Sequence, residues 1–475
     1  MQRDHIKFYL NGELQVVKGA DAFLTLSDYL RYKKFLTGTK VVCAEGDCGA
    51  CTILKAHPKP GAQEKVSFAS INSCIGLVAQ MDSSFLLTVE GLNNSEQEHP
   101  VQTCMIKSNG SQCGYCTPGF VMAMAAMFER TKDIDERITK NYLTGNLCRC
   151  TGYQPIIDAS LEVAASPAAK NLFGQFSKKY LSKKVLTELR AWQKEDISIE
   201  HDNKTFYSPS SLKSFFKKTR NFRVLGATTD LGVLNNKGRI ELLSLISLQH
   251  IPELYEIKVV DGRVRVGARV TLSELRRFLE KKTQIRLAEF FDLFASPQIK
   301  NVATLAGNVA NASPIADTPP FLLALNATQT LISSKGSRNC SLEDFYLSYK
   351  KTLLKPNEII GSIEFDLPAP TDFIKFYKTS QRKDLDISTV NMALYVSRSS
   401  KKPTVRLALG GVADKPLRLK SFEKLYKKEP NNIDGLIQAV QSEIQPLSDL
   451  RGSQGYRRVL IENILRSFLR DVQTT

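Results

Sequence analysis

No stretch of the 475 residues comes near the ~20 apolar positions that a helix needs to cross a bilayer. The first residues, Met1-Gln2-Arg3-Asp4-His5-Ile6-Lys7, enter a charged alternating pattern and lack the apolar core of a signal peptide. These two absences lead us to expect a cytoplasmic protein with no membrane role. Acidic residues are in deficit as well: 48 Asp and Glu stand against 65 Lys and Arg, a net charge of +17. Such an excess invites a nucleic-acid reading. The lysines are scattered, however, with small runs such as Lys178-Lys179 and Lys183-Lys184, and there is no zinc-finger spacing, basic zipper or RNA-binding signature. We therefore expect a solvated surface or an acidic protein partner, and no nucleic acid.

What is present begins with size. A chain of 475 residues exceeds the length at which single cores stop growing, so several domains are expected. Its 42% hydrophobic and 24% charged residues are ordinary for a soluble globular protein. Of ten cysteines, eight lie between Cys43 and Cys150 in two spaced groups, while Cys104 and Cys340 stand apart. In a reducing compartment, clustered cysteines read as metal ligands before they read as disulfides.

Ile6, Phe8 and Leu10 alternate on one side of Asn11-Gly12, and Leu14 and Val16 on the other, the pattern of a β-hairpin. Thr25 then caps a short predicted helix through Leu30. The loop Cys43-Ala-Glu-Gly-Asp-Cys48-Gly-Ala-Cys51, with Cys74 beyond it, has the Cys-x4-Cys-x2-Cys…Cys spacing of a plant-type [2Fe–2S] site. Four thiolates must converge on two irons, so the loop has to wrap tightly, and Gly46 and Gly49 supply the backbone freedom. A zinc knuckle fits the four-residue first gap poorly.

The second group is Cys113-Gly-Tyr-Cys116 with Cys148-Arg-Cys150. Pro118 suits the first turn of a helix, and Val121, Met124, Ala125 and Phe128 repeat at helical spacing. Another helical run follows Pro155. Each cysteine pair thus precedes a helix, whose N-terminal N–H groups suit an anionic cluster. Taken alone, these four cysteines fit zinc as well as a cluster. The Met and Ala stripe after Phe120 reads as core packing, and Cys104 as a buried thiol.

The order plant-type site, then Gln112-Cys-Gly-Tyr-Cys-Thr-Pro-Gly119, then Asn146-Leu-Cys-Arg-Cys-Thr-Gly-Tyr153 resembles the iron–sulfur half of the xanthine dehydrogenase (molybdenum hydroxylase) family. The resemblance implies an α+β multidomain chain. A β-grasp ferredoxin-like domain (1–90) would hold one [2Fe–2S] cluster on Cys43, Cys48, Cys51 and Cys74. A four-helix domain (91–165) would hold the other on Cys113, Cys116, Cys148 and Cys150. It also implies that Gln112 neighbours the molybdopterin of a partner.

The Lys- and Ser-rich stretch 166–199 reads as a linker, with helix over Val185–Trp192. Phe206-Tyr-Ser-Pro-Ser-Ser-Leu212 then starts a new domain, with a serine capping a predicted helix through Phe215 and Phe216. Phe222-Arg-Val-Leu225 reads as a strand ending in Gly226-Ala-Thr-Thr-Asp230, where small and hydroxyl residues can bring backbone N–H groups to a phosphate. A second segment from Phe294 to Asp317 is rich in small residues. Neither is a Gly-x-Gly-x-x-Gly fingerprint, so composition alone names no cofactor. The resemblance implies FAD, in a vanillyl-alcohol-oxidase-type domain (200–370). Its contacts would be Phe222, Arg223, Val224, Leu225, Gly226, Ala227, Thr228, Thr229 and Asp230 on the first segment. Phe294, Thr304, Leu305, Ala306, Gly307, Asn308 and Asp317 would follow on the second, then Ile360 and Lys378. Two departures stand out: Ala306-Gly307 replaces a common Gly-Gly, and either Thr228 or Thr229 can take the family's single threonine position.

Two alternating strands, Asn391–Ser397 and Thr404–Leu409, precede helical segments from Ser421, similar to the family's small α+β C-terminal domain (371–475). The resemblance implies an electron relay without an acid–base catalytic residue. It also implies a molybdopterin-binding large subunit in a dimer of heterodimers, and NAD as acceptor. A relay for an aldehyde, nicotinate or carbon monoxide dehydrogenase, a free-standing iron–sulfur flavoprotein reductase and a structural zinc protein are the competing readings.

Overall fold

The computed structural model describes residues 2–62, 64–93, 98–218, 221–282, 284–398 and 404–474, and the chain divides into two compact units. One comprises Met1–Tyr255 with Ser296–Ala303, the other Glu256–Ala295 with Thr304–Thr475.

In the first unit, the strands His5–Leu10 and Glu13–Lys18 pair antiparallel across Asn11-Gly12, where both residues take positive φ (52° and 102°). The alternation then has its consequence: Ile6 and Phe8 are fully buried. These strands form one side of a five-stranded sheet that continues through Phe85–Leu87, Thr52–Ala56 and Ala69–Asn72. His5–Leu10 and Phe85–Leu87 run parallel. Thr25 caps Leu26–Asp28, and the turn continues through Tyr29–Lys33 so that Leu26, Tyr29 and Leu30 join the core.

Four helices follow, Pro100–Lys107, Thr117–Arg130, Glu136–Leu143 and Gln154–Ala165. The helix Thr117–Arg130 is buried from Gly119 to Glu129, so the Met and Ala run Met122–Met127 lies wholly in the core. Pro118 occupies its first turn, where a missing N–H has no consequence. Cys104 is a buried thiol on the helix Pro100–Lys107.

The stretch 166–199 is more ordered than its composition implied. It forms the helices Ala169–Leu172, Gln175–Tyr180 and Lys183–Trp192 and enters the strand Asp196–His201. Its sparse apolar residues suffice, because Leu172, Phe176 and Leu181 all insert into the core of the helical region. The strand Gln2–Arg3 pairs parallel with Asp196–Ile197, and that sheet continues through Lys204–Ser208, Ser244–Ser247 and Arg223–Leu225. Beside this junction Arg3 donates to both oxygens of the fully buried Asp82 (2.9 and 3.0 Å). His250, equally buried, lies 3.7 Å from the same carboxylate and 3.1 Å from the Gln249 amide.

The second unit holds an antiparallel five-stranded sheet in the order Ile257–Val260, Arg263–Gly267, Ile359–Asp366, Thr328–Ser333, Gly336–Ser341. A four-stranded sheet follows: Phe373–Thr379, Val390–Val396, Val405–Gly410 and Leu417–Arg418. Every residue of Val390–Val396 is buried, and the helices Lys420–Tyr426, Ile433–Glu443 and Gln454–Thr474 supply its hydrophobic cover. Among the described residues no helix is long and apolar enough to cross a membrane.

Candidate functional site

Cys51 immediately precedes the strand Thr52–Ala56, and Cys74 follows its ladder partner Ala69–Asn72. The antiparallel register pairs Thr52 with Asn72, so both cysteines emerge at one end of the sheet with sulfurs 3.3 Å apart. Cys43 and Cys48 reach the same point on a loop that needs positive φ at Gly46 (77°) and Gly49 (68°). The Glu45 and Cys48 N–H groups point at Cys43 Sγ (3.5 and 3.4 Å), and the Asn72 amide at Cys51 Sγ (3.7 Å). The thiols interact directly. Hydrogen bonds from Cys48 and Cys74 hold Cys43 far below the usual thiol range, and both partners are raised in turn. The Cys74 thiol likewise draws Cys51 down to about 7 against burial. Four convergent sulfurs ringed by N–H donors are the donor set that a [2Fe–2S] cluster requires.

The second quartet forms where two helices begin. Cys116 caps Thr117–Arg130, and Cys148-Arg149-Cys150 lies just ahead of Gln154–Ala165. Burial pushes Cys116 up to about 12, with a hydrogen bond to Cys148 adding to it, and a hydrogen bond with Cys113 raises Cys150. Burial also acts to raise Cys148, but the Thr151 hydroxyl, the Thr151 amide and the Cys150 amide (3.2, 3.5 and 3.4 Å) outweigh it and leave it lowered. This set too fits a cluster. Cys113 and Cys150 are exposed, as are Gln112, Tyr115 and Tyr153 around them. The cysteine spacing marked all eight thiols, but nothing in it marked Thr151 or Asn72.

The two quartets are joined by backbone. Leu147 N–H donates to Cys48 O (3.0 Å), and the Asn146 side chain to Gly49 O (3.1 Å). A Cβ on Gly49 would lie 2.1 Å from Gly145 O, so only glycine permits this approach.

The first of the two segments expected at FAD lies in the first unit. The strand Arg223–Leu225 ends at Gly226, and the helix Leu231–Asn236 follows Asp230. Of the two threonines, Thr228 is buried and donates to Gln80 Oε1 (2.8 Å), whereas Thr229 is half-buried. Thr229 is therefore the more accessible of the two. The helix packs onto the first quartet: Asn236 Nδ2 donates to Ala44 O and Cys74 O (both 2.8 Å), and a Cβ on Gly232 would lie 2.3 Å from Ile75 O.

In the second unit Thr304 caps Leu305–Ala310, its hydroxyl accepting from Gly307 N–H (3.0 Å). Leu305 and Ala306 point into the core and Gly307 is exposed. Asn308 Oδ1 accepts from Thr318 Oγ1 (2.5 Å). Next to Thr318, Asp317 gathers Lys378 (3.0 Å), Ser388 (2.5 Å) and Asn391 (3.0 Å). Asn308, Asp317 and Lys378 thus come together, along with Ser388, the last residue of a loop that the resemblance puts beside the flavin, and Asn391, which the sequence had not marked as a contact. Small side chains beside amide and hydroxyl groups suit a diphosphate. Phe294 and Ile360 differ: both are buried, Phe294 among Phe290 and Phe291 (5.2 and 6.0 Å), so these side chains serve the core.

Three family models match the chain: a [2Fe-2S] binding domain over residues 88–161, the FAD binding domain in molybdopterin dehydrogenase over 201–369, and the CO dehydrogenase flavoprotein C-terminal domain over 375–472. Xanthine dehydrogenase of Emericella nidulans is 30% identical over 99% of this chain and 39% of its own length. Xanthine dehydrogenase 2 of Arabidopsis thaliana is 30% identical over 92% of this chain and 37% of its own. The chain therefore spans less than half the length of these relatives. Among solved structures, a Cu,Mo-CO dehydrogenase in cyanide-inactivated form is similar at TM-score 0.51 and 26% identity, over 55% of this chain and 94% of the other. Carbon monoxide dehydrogenase from Hydrogenophaga pseudoflava gives 0.50 and 25% over the same shares.

Proposed function

Because this chain belongs to the molybdenum hydroxylase family, as its iron–sulfur and flavin electron-transfer module, we propose that it is the small subunit of a two-subunit xanthine dehydrogenase. In that role it accepts the electrons released when a molybdopterin-binding large subunit hydroxylates a purine and passes them to NAD. The bound groups supply the redox chemistry: clusters exchange single electrons and FAD one or two, which matches them to a hydride acceptor.

The residues divide the work. Cys113, Cys116, Cys148 and Cys150 hold the outer cluster, with Gln112 beside the partner's molybdopterin. Cys43, Cys48, Cys51 and Cys74 hold the inner one. The segment Phe222–Asp230, Thr304–Asn308, Asp317 and Lys378 hold FAD, and Phe294 and Ile360 border it through backbone. No residue of this chain acts as an acid or base. We read the first sheet as a β-grasp, in keeping with its parallel central pair, and the FAD domain as the vanillyl-alcohol-oxidase type. The boundaries 1–90, 91–165, 200–370 and 371–475 follow from these assignments, with 166–199 as a structured connection. The complex is a cytoplasmic dimer of heterodimers.

One observation carries the direction of flow. The second quartet has two exposed cysteines, whereas the first is buried at Cys51 and Cys74 and is gripped by Asn236, just beyond Phe222–Asp230. Entry at the second quartet and exit from the first toward the flavin follows. The likeness to CO dehydrogenases favours a second reading, the same relay serving a different molybdenum site.

Co-expression with the molybdenum subunit tests the proposal. The complex should oxidise hypoxanthine or xanthine, and the isolated chain should not, while still reducing dyes with NADH. Replacing Cys113 or Cys150 by Ser should abolish purine-dependent flavin reduction and leave NADH-dependent flavin reduction largely intact. Purine oxidation by the isolated chain, or unchanged purine-to-flavin transfer in those variants, would overturn it.

A further inference from the structure

Gln298 lies in the small-residue segment that the sequence assigns to the flavin region, yet Ser296–Ala303 packs within the first unit. Its side chain is fully buried. Gln298 Nε2 donates to Asn146 Oδ1 (2.8 Å) and, more weakly, to Thr52 Oγ1 (3.3 Å). Asn146 in turn donates to Gly49 O, and the residue after it, Leu147, donates to Cys48 O. Gln298 Oε1 has no hydrogen-bond partner and sits so close to Gly145 that a Cβ there would be 2.0 Å away.

A buried amide with one unpaired oxygen is a cost to the fold unless its position has a use. This one has a use in reach. Thr52 follows Cys51 of the first quartet and Asn146 precedes Cys148 of the second, so one side chain spans the two cysteine loops. We propose that Gln298 is a positioning residue that holds both cluster loops in register through Asn146. The separation and coupling of the two clusters then depend on a side chain from outside either cysteine motif. The inference rests on the reading of the two quartets as [2Fe–2S] sites.

The test uses the full chain with its iron and flavin. Gln298→Met keeps the length and removes both hydrogen bonds. Gln298→Asn is the milder companion, one methylene too short to reach Asn146 and Thr52 together. Two quantities are read: the spin–spin splitting between the reduced clusters in low-temperature EPR, and hydrogen exchange in the peptide containing Leu147. Both variants and Asn146→Ala should retain four irons, lose or alter the splitting, and exchange the Leu147 amide about tenfold faster. The double variant Gln298→Met with Asn146→Ala should go no further than either single change. Wild-type splitting and exchange in iron-replete variants would overturn the positioning role alone. Wild-type protein holding stoichiometric zinc in place of iron would instead overturn the cluster reading on which it stands.

Discussion

Asn308 shows how a single atom can separate folding from binding. Its Oδ1 accepts from Thr318, and a carboxylate at the same place still accepts that bond. Asn308→Asp therefore adds a charge near the proposed diphosphate with little effect on the fold. Like charges at ~4 Å repel by roughly 1 to 4 kcal/mol depending on screening. Flavin released on gel filtration should rise accordingly, with the melting curve of the flavin-free chain unchanged; full flavin retention would mean that the loop lies elsewhere. At this scale the sequence was legible for the grouping of the cysteines and silent on what supports them. Eight cysteines announce themselves by their spacing. Asn146 and Gln298 do not, since a side-chain hydrogen bond across 152 positions leaves no local pattern.

Between elements, close backbone approach decides what is tolerated, and two glycines with similar φ make the comparison. Gly49 (68°) has Gly145 O 2.1 Å from where a Cβ would be, while Gly238 (65°) has nothing within 4 Å. Alanine at either costs about 1–2 kcal/mol for the left-handed backbone. Only Gly49→Ala must also push the two cysteine loops apart. We expect Gly238→Ala to lower the melting temperature modestly with full iron, and Gly49→Ala to lose iron as well. Equal iron in both would contradict the tight passage. The helices around the second quartet were readable from period and capping, as Pro118 and the Met–Ala face illustrate. The order in 166–199 was not. Its few apolar residues matter only because the helical core offers them a place, which composition cannot express.

For the molecule as a whole, the resemblance carried the family and its iron–sulfur and FAD binding domains, whereas the burial that sets its pH response had no sequence signature. Burial lowers His250 from its ordinary 6.5 to about 4, against the pull of Asp82 and with Arg3 and Lys55 reinforcing it. The unfolded chain therefore binds this proton more readily than the folded one. Stability is full above about pH 6.5 and falls as the pH drops toward 4, by on the order of 3 kcal/mol. Urea midpoints between pH 7 and pH 4.5 should fall more steeply for the wild type than for His250→Gln. Parallel profiles would rule out His250 as the source.

The placement of Ser296–Ala303 also bears on how the protein is made. The ribosome completes both cysteine motifs well before it reaches Gln298, and 152 positions at ~5–20 residues per second amount to roughly eight to thirty seconds. A scaffold that delivered iron during that interval would meet two loops not yet clamped together. Iron delivered in that interval would fill both quartets without fixing their spacing, so a nascent chain stalled short of residue 303 should hold iron yet lack the spin–spin splitting of the finished protein.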